Sequence, residues 1–144
     1  MIRRATPDDA AGIAAVHVRT WRRDYTDIVD PQVLAGLDVD ERTEKWREWL
    51  DGGEALAWVA EEGGRVVGFA SVRDAKLTTL YVDPVAQGAG VGTRLLAEAE
   101  AAGARELEVF EANGHGRHFY EARGWRDDGD SGEWLDRPLR RYIR

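Results

Sequence analysis

The stretch Leu80-Tyr81-Val82-Asp83-Pro84-Val85-Ala86-Gln87-Gly88-Ala89-Gly90-Val91-Gly92-Thr93 decides the fold. It reads as a strand, a stop, a glycine-rich turn and a helix start. Asp83-Pro84 ends the strand, because proline has no N–H to give a central ladder. Gly88, Gly90 and Gly92 alternate through the turn, and the missing Cβ atoms let the main chain take positive φ and approach a ligand closely. The helix opening near Val91 adds the partial positive charge of its N-terminus. Several backbone N–H groups then converge on one point where a phosphate can sit. Arg94, in the first turn, is within reach of the same anion. A Walker A loop is excluded, since Gly92-Thr93-Arg94 has no lysine. A Rossmann fingerprint is excluded by the wrong last glycine spacing. On these residues alone, a purely structural turn stays open as the alternative.

Upstream, Ile2 to Arg4 predicts a short strand. Thr6 and Pro7 form a helix start, with Ala10, Ile13, Val16, His17, Thr20 and Trp21 at helical spacing, so residues 7–22 read as an amphipathic helix. A second helical region follows Pro31. From Val39, the stripe Thr43, Trp46 and Leu50 predicts a helix that Gly52-Gly53 ends. Ala55 to Glu61 and Arg65 to Arg73 are strand-like runs around Glu62-Gly63-Gly64, a hairpin signature. Lys76 to Val82 is a third strand.

Downstream, Val91, Leu95, Leu96 and Ala99 predict a helix ending near Gly103. Glu106 to Phe110 reads as a strand, and Asn113 to Arg123 as a helix with Asn113 as N-cap and Gly124 as stop. Two late strands are expected to flank the turn Asp128-Gly129-Asp130-Ser131-Gly132, with Pro138 putting the last one on an edge or at a break. Trp46, Trp49 and Trp58 are expected to fill the core or cover a partner surface. The order βαα, βββ, α, β, α, ββ describes an α/β (α+β mixed) fold with helices on a mixed sheet.

The chain has 144 residues, which predicts one domain spanning 1–144. The 33% charged and 43% hydrophobic fractions are those of a globular protein. The net charge of −7 disfavours extended nucleic-acid binding. Arg137, Arg140, Arg141 and Arg144 are the one basic cluster, read as a solvated strand end. No apolar run approaches the ~20 residues of a membrane span. There is no cysteine, hence no disulfide, thiolate metal site or cysteine nucleophile. His115 and His118 lack a third ligand, so no metal is expected. The absence of an apolar leader at Met1–Pro7 fits a cytoplasmic location.

Gln87-Gly88-Ala89-Gly90-Val91-Gly92 resembles the Arg/Gln-x-x-Gly-x-Gly/Ala motif of the GNAT superfamily of acyl-CoA-dependent N-acyltransferases. Leu80-Tyr81-Val82-Asp83-Pro84 matches the strand leading into it. Asn113-Gly114-His115-Gly116-Arg117-His118-Phe119-Tyr120-Glu121-Ala122-Arg123-Gly124-Trp125 is similar to the family's second signature, Asn-x-x-Ala-x-x-Phe-Tyr-x-x-x-Gly-Phe, with Gly116 and Trp125 as departures. The resemblance implies a central, mostly antiparallel sheet of six to seven strands, a splayed parallel pair at Lys76–Val82 and Glu106–Phe110, and helices on both faces.

It also implies the chemistry. Acetyl-CoA (coenzyme A) would be held by Leu80, Tyr81, Val82, Gln87, Gly88, Ala89, Gly90, Val91, Gly92, Thr93, Asn113 and Tyr120. The Val82 backbone N–H would serve as oxyanion donor, and Tyr120 as the acid that protonates the leaving thiolate. A phenol of pKa ~10 giving its proton to a thiolate of ~8.5 is uphill by only about 2 kcal/mol. Asn113 reads equally as a contact to the cofactor arm or an ordered water and as a plain N-cap. Trp21, Asp24, Tyr25 and Glu111 are acceptor-side candidates, the two carboxylates as general bases. The partners expected are acetyl-CoA and an amine acceptor, without nucleic acid or membrane, and a homodimer is compatible. The competing readings are a non-catalytic acyl-CoA sensor of the same fold and an interaction module with a structural glycine loop.

Overall fold

The computed structural model describes residues 1–144. In chain order the elements are β1 (Ile2–Arg4), a 3-10 turn (Pro7–Asp9), α1 (Ala10–Asp24), α2 (Pro31–Ala35), α3 (Val39–Asp51), β2 (Leu56–Glu62), β3 (Arg65–Arg73), β4 (Lys76–Val82), a 3-10 turn (Pro84–Ala86), α4 (Val91–Ala101), β5 (Glu106–Phe110), α5 (Gly114–Glu121), β6 (Arg126–Trp134) and β7 (Arg137–Ile143). The strands form one seven-stranded sheet in the order β1-β2-β3-β4-β5-β7-β6. Every pair is antiparallel except β4–β5, which is parallel.

Alternation along β3 shows why both sheet faces are covered. Phe69 joins Ile13, Ala14, Val16, Trp46 and Val59 under α1 and α3. Its neighbour Ala70 joins Val91, Leu95, Leu96, Ala99 and Trp125 under α4 and the α5 end. Successive residues point to opposite faces, so an unbroken apolar strand is buried on both. Of the tryptophans assigned to the core, Trp46 and Trp58 are buried and Trp49 packs against Trp46.

The α1 start differs from the sequence reading. Pro7–Asp9 forms a separate 3-10 turn, and α1 begins at Ala10 and runs to Asp24. Here the Asp9 carboxylate accepts the Thr6 N–H at 2.8 Å, and Arg3 grips both its oxygens at 2.8 Å.

The last hairpin needs correction. Asp128 to Gly132 is not a turn but the middle of β6, absorbed by register shifts between Asp127 and Gly129 and between Asp130 and Glu133. The turn lies at Leu135-Asp136, both left-handed (φ 52° and 60°), which closes a two-residue hairpin without glycine. β7 is not an edge strand, since it lies between β5 and β6, but Pro138 does sit at a break, opposite Glu133 where the register shifts after Asp130. Pro138 still serves the sheet, because its carbonyl accepts the Glu111 N–H at 2.9 Å.

The terminal arginines are engaged rather than merely solvated. Arg137 donates to the Ile28 carbonyl at 2.8 Å. Arg140 pairs with Asp127 at 3.0 Å, Arg141 with Glu106 at 2.6 Å, and Arg144 with Glu100 at 3.7 Å. No helix is long and apolar enough to cross a membrane.

Candidate active site

The parallel pair β4–β5 is joined only at Lys76↔Glu106 and Leu77↔Leu107. Beyond these positions the strands separate and open a cleft of about 1380 Å³ in the middle of the sheet. Ladder parity shows which backbone groups face it. Asp83 N–H donates to the Val67 carbonyl at 2.7 Å, which makes Asp83 and Val67 a hydrogen-bonded pair. Antiparallel pairs alternate, so Val82 opposite Gly68 and Leu80 opposite Ala70 are non-bonded pairs. Their N–H and C=O groups therefore point away from β3, into the opening. The Val82 carbonyl is taken by Gln87 Nε2 at 3.0 Å, whereas the Val82 N–H has no partner in the chain.

The glycine loop continues from that point. Gly88 and Gly90 are left-handed (φ 86° and 78°), and a Cβ on either would meet nothing within 4 Å, so backbone conformation rather than crowding calls for glycine. Gly92 is different: its Cβ would come 3.3 Å from the Phe119 ring, so it permits α4 to lie close to α5. The backbone N–H groups from Gly88 to Thr93 make no hydrogen bond within the chain; the first helical bond there is from Arg94 N–H to Gly90. They end in the N-terminus of an 11-residue helix. Donors plus helix dipole make an anion site.

An ion pair outside the sequence reading anchors this end. Asp83 is buried, accepts from Arg19 Nε at 2.9 Å and from Arg19 Nη2, and receives the Val85 N–H at 3.3 Å. Arg19 lies outside the apolar stripe of α1, and nothing in the sequence joins it to a residue 64 positions away.

On the opposite wall, α5 carries Tyr120, packed against Phe119, Trp125 and Tyr142 with centroids at 5.3, 6.1 and 6.4 Å. Burial raises its pKa, with Tyr81 adding to the rise, so the phenol keeps its proton across the neutral range. Asn113 Oδ1 caps α5 by accepting the Gly116 N–H at 2.9 Å. A Cβ on Gly116 would lie 2.6 Å from Asn113 Nδ2, so the bare residue accommodates the cap. Arg123 spans the gap to α4, donating to Thr93 Oγ1 at 2.9 Å and lying 3.8 Å over the Phe119 ring.

The far end of the cleft is aromatic. Trp21 meets Tyr25 at 4.8 Å and Trp134 at 5.4 Å, and Phe110 stacks on Trp134 at 5.6 Å with an 8° interplanar angle. Phe110 and Trp134 were not legible as site residues, because the sequence reading placed the late turn elsewhere. His17 also lines the cleft, although its spacing marked it only as part of the α1 core stripe. Its Nδ1 accepts the Trp46 indole N–H at 3.4 Å, and burial lowers its pKa to about 4, with the Arg42 charge contributing. The Trp21 Nε1–H is buried without a partner.

The cleft thus brings together Leu80, Tyr81, Val82, Gln87, Gly88, Gly90, Val91, Gly92, Thr93, Asn113 and Tyr120 with Trp21, Asp24 and Tyr25. Two residues singled out from the sequence lie apart from it. Ala89 sits in the loop with its side chain off the cleft, and Glu111 lies 3.6 Å from Arg140.

The chain is similar to known proteins along most of its length. Residues 29–134 match the family model described as "Acetyltransferase (GNAT) domain". A probable N-acetyltransferase of Mycobacterium tuberculosis, Rv2775, is 31% identical over 96% of this chain and 85% of its own. YiaC of Escherichia coli, a peptidyl-lysine N-acetyltransferase, is 30% identical over 56% of this chain and 62% of its own. Among solved structures, apo YjaB of Escherichia coli superposes with a TM-score of 0.78 at 24% identity, covering 99% of this chain and 95% of that one. The yncA protein of Salmonella typhimurium, solved with acetyl-CoA, has a TM-score of 0.70 at 21% identity, covering 99% and 92%. The chain therefore belongs to the GNAT family of N-acetyltransferases, enzymes that take their acetyl group from acetyl-CoA.

Proposed function

We propose that residues 1–144 form one acetyltransferase domain, cytoplasmic in setting, that moves the acetyl group to a primary amine of a small molecule or protein by direct attack. The observation that carries this reading is the interrupted row of unpaired backbone donors, at Leu80 and Val82 on the splayed end of β4 and again from Gly88 to Thr93 in the glycine loop. The row fits an elongated ligand with an anionic head and an amide-bearing arm. The N–H groups of Gly88 to Thr93 would hold the diphosphate, and Leu80 and Val82 the arm. Acetyl-CoA supplies an acetyl thioester, the electrophile.

The Val82 N–H is the donor available to an oxygen that gains negative charge near the end of β4. Tyr120 Oη holds the proton required by the departing sulfur. Burial raises the phenol's pKa, and the same surroundings disfavour a thiolate, so the transfer stays close to level. Groups buried at the acceptor end, namely Tyr25, Tyr81 and Trp21, are donors rather than bases at neutral pH. The amine must lose its proton at the rim, where Asp24 is exposed, or arrive neutral.

Tyr120→Phe tests the assignment. The variant should keep the stabilisation given by coenzyme A, about 2.7 kcal/mol at 100 times Kd. It should lose about 100-fold in thiol release with acetyl-CoA. Full turnover in the variant would remove Tyr120 from the reaction. A wild-type chain that binds coenzyme A but acetylates no amine in a broad panel would be a sensor.

A further inference from the structure

We propose that His17 reads a neutral carbonyl oxygen on the acceptor, so that the preferred substrate is an amine carrying an amide or peptide carbonyl rather than a plain alkylamine. This rests on the proposed assignment of the aromatic end of the cleft to the acceptor.

Three observations support it. First, the tautomer is fixed. An indole N–H only donates, so the bond from Trp46 Nε1 makes His17 Nδ1 an acceptor and leaves the ring proton on Nε2. Second, the ring cannot turn to offer the other edge. It is stacked on Tyr81 (5.4 Å, 18°) and enclosed by Trp21 at 5.6 Å, Phe69 at 6.0 Å and Trp46 at 6.4 Å. The edge left for the cleft is the Nε2–H, which donates to nothing in the chain. Third, the adjacent Trp21 Nε1–H is buried beside the Tyr81 hydroxyl without completing a hydrogen bond to it.

Donors left without partners are open to a ligand, and here the buried Trp21 Nε1–H and the cleft-side His17 Nε2–H lie one helical turn apart on α1. An acceptor oxygen from a ligand satisfies them; an alkyl chain does not. The charge of the rim selects among oxygen ligands. Asp24 and Glu133 line the cleft without ion-pair partners, and the chain carries −7, which favours a neutral carbonyl over a carboxylate. Arg23, also on the cleft, lies one turn beyond Arg19 on the helix row facing Asp83, away from the row of His17, Trp21 and Asp24.

The test compares β-alaninamide with its apolar isostere 3-methylbutylamine, and with β-alanine. Thiol release from acetyl-CoA is measured and kcat/KM expressed per neutral amine. The wild-type protein should prefer the amide by about tenfold or more over the isostere, and over β-alanine. In His17→Leu that ratio should fall towards unity through a raised KM for the amide. His17→Gln can accept from Trp46 and donate to the cleft, so it should restore most of the preference. Thermal stabilisation by coenzyme A reports that each variant is folded. A wild-type ratio near unity, or the same ratio in His17→Leu, overturns the proposal, as does binding of coenzyme A without turnover of the amide. No stabilisation by coenzyme A would instead remove the cofactor assignment beneath it.

Discussion

His17 gives this protein a calculable acid sensitivity. The imidazole has a pKa near 6.5 in the unfolded chain and about 4 in the folded one, lowered by burial and then by the charge of Arg42. The folded state therefore binds the proton less readily. The stabilisation is complete above the unfolded pKa and is lost as pH falls from 6.5 towards 4. A shift of about 2.5 units corresponds to roughly 3 kcal/mol in full, of which about 2.5 kcal/mol is lost between pH 7.5 and 4.5. The assay is urea unfolding at half-unit pH steps for the wild type and for His17→Gln. Carboxylates held low by arginine, such as Asp9 beside Arg3, also weaken the fold in acid, but they are common to both proteins and cancel in the difference. Trp46, Trp21, Phe69 and Tyr81, which surround the ring, stay uncharged through this range. The wild-type stability should fall about 2.5 kcal/mol further than that of the variant. Parallel curves, agreeing within about 0.5 kcal/mol after a constant offset, would refute the reasoning.

Other outcomes follow from the same geometry. Gly90→Val forces a β-branched residue to φ 78°, where its Cβ meets no neighbour; coenzyme A affinity by calorimetry should fall about tenfold from backbone strain alone. An unchanged Kd would show that the loop does not hold the diphosphate. Asp83→Asn leaves half-exposed Arg19 without its counter-ion and should cost about 2 kcal/mol in urea unfolding, with a weaker hold on the glycine loop. Asp136→Gly relieves a left-handed residue in the β6–β7 turn (φ 60°) and should stabilise the fold by about 1 kcal/mol, read as a Tm rise of a few degrees.

The central elements were legible because their signals are local. Lys76–Val82 and Glu106–Phe110 carry strand residues bounded by Pro84 and by glycine, and both match the observed limits. The glycine loop was legible because positive φ is a demand on single residues, met at Gly88 and Gly90. Asn113 declared itself by its cap, since a cap is a bond to a residue three positions on.

What only the tertiary structure decided are contacts between residues distant in the chain. The late hairpin was misplaced because Gly129 and Gly132 are turn formers locally, yet pairing of β6 with β7 keeps them within the strand at bulges and puts the turn on Leu135-Asp136. That shift carries Trp134 onto Phe110 and completes the aromatic wall. Arg19 finds Asp83, and His17 finds Trp46, only once α1 and α3 lie across the sheet. Residue type and spacing fixed the elements and the anion loop, because backbone conformational preference acts over a few residues. The tautomer of His17, the free Val82 N–H and the shape of the acceptor end arise from burial and ladder parity, which exist only after the strands have paired.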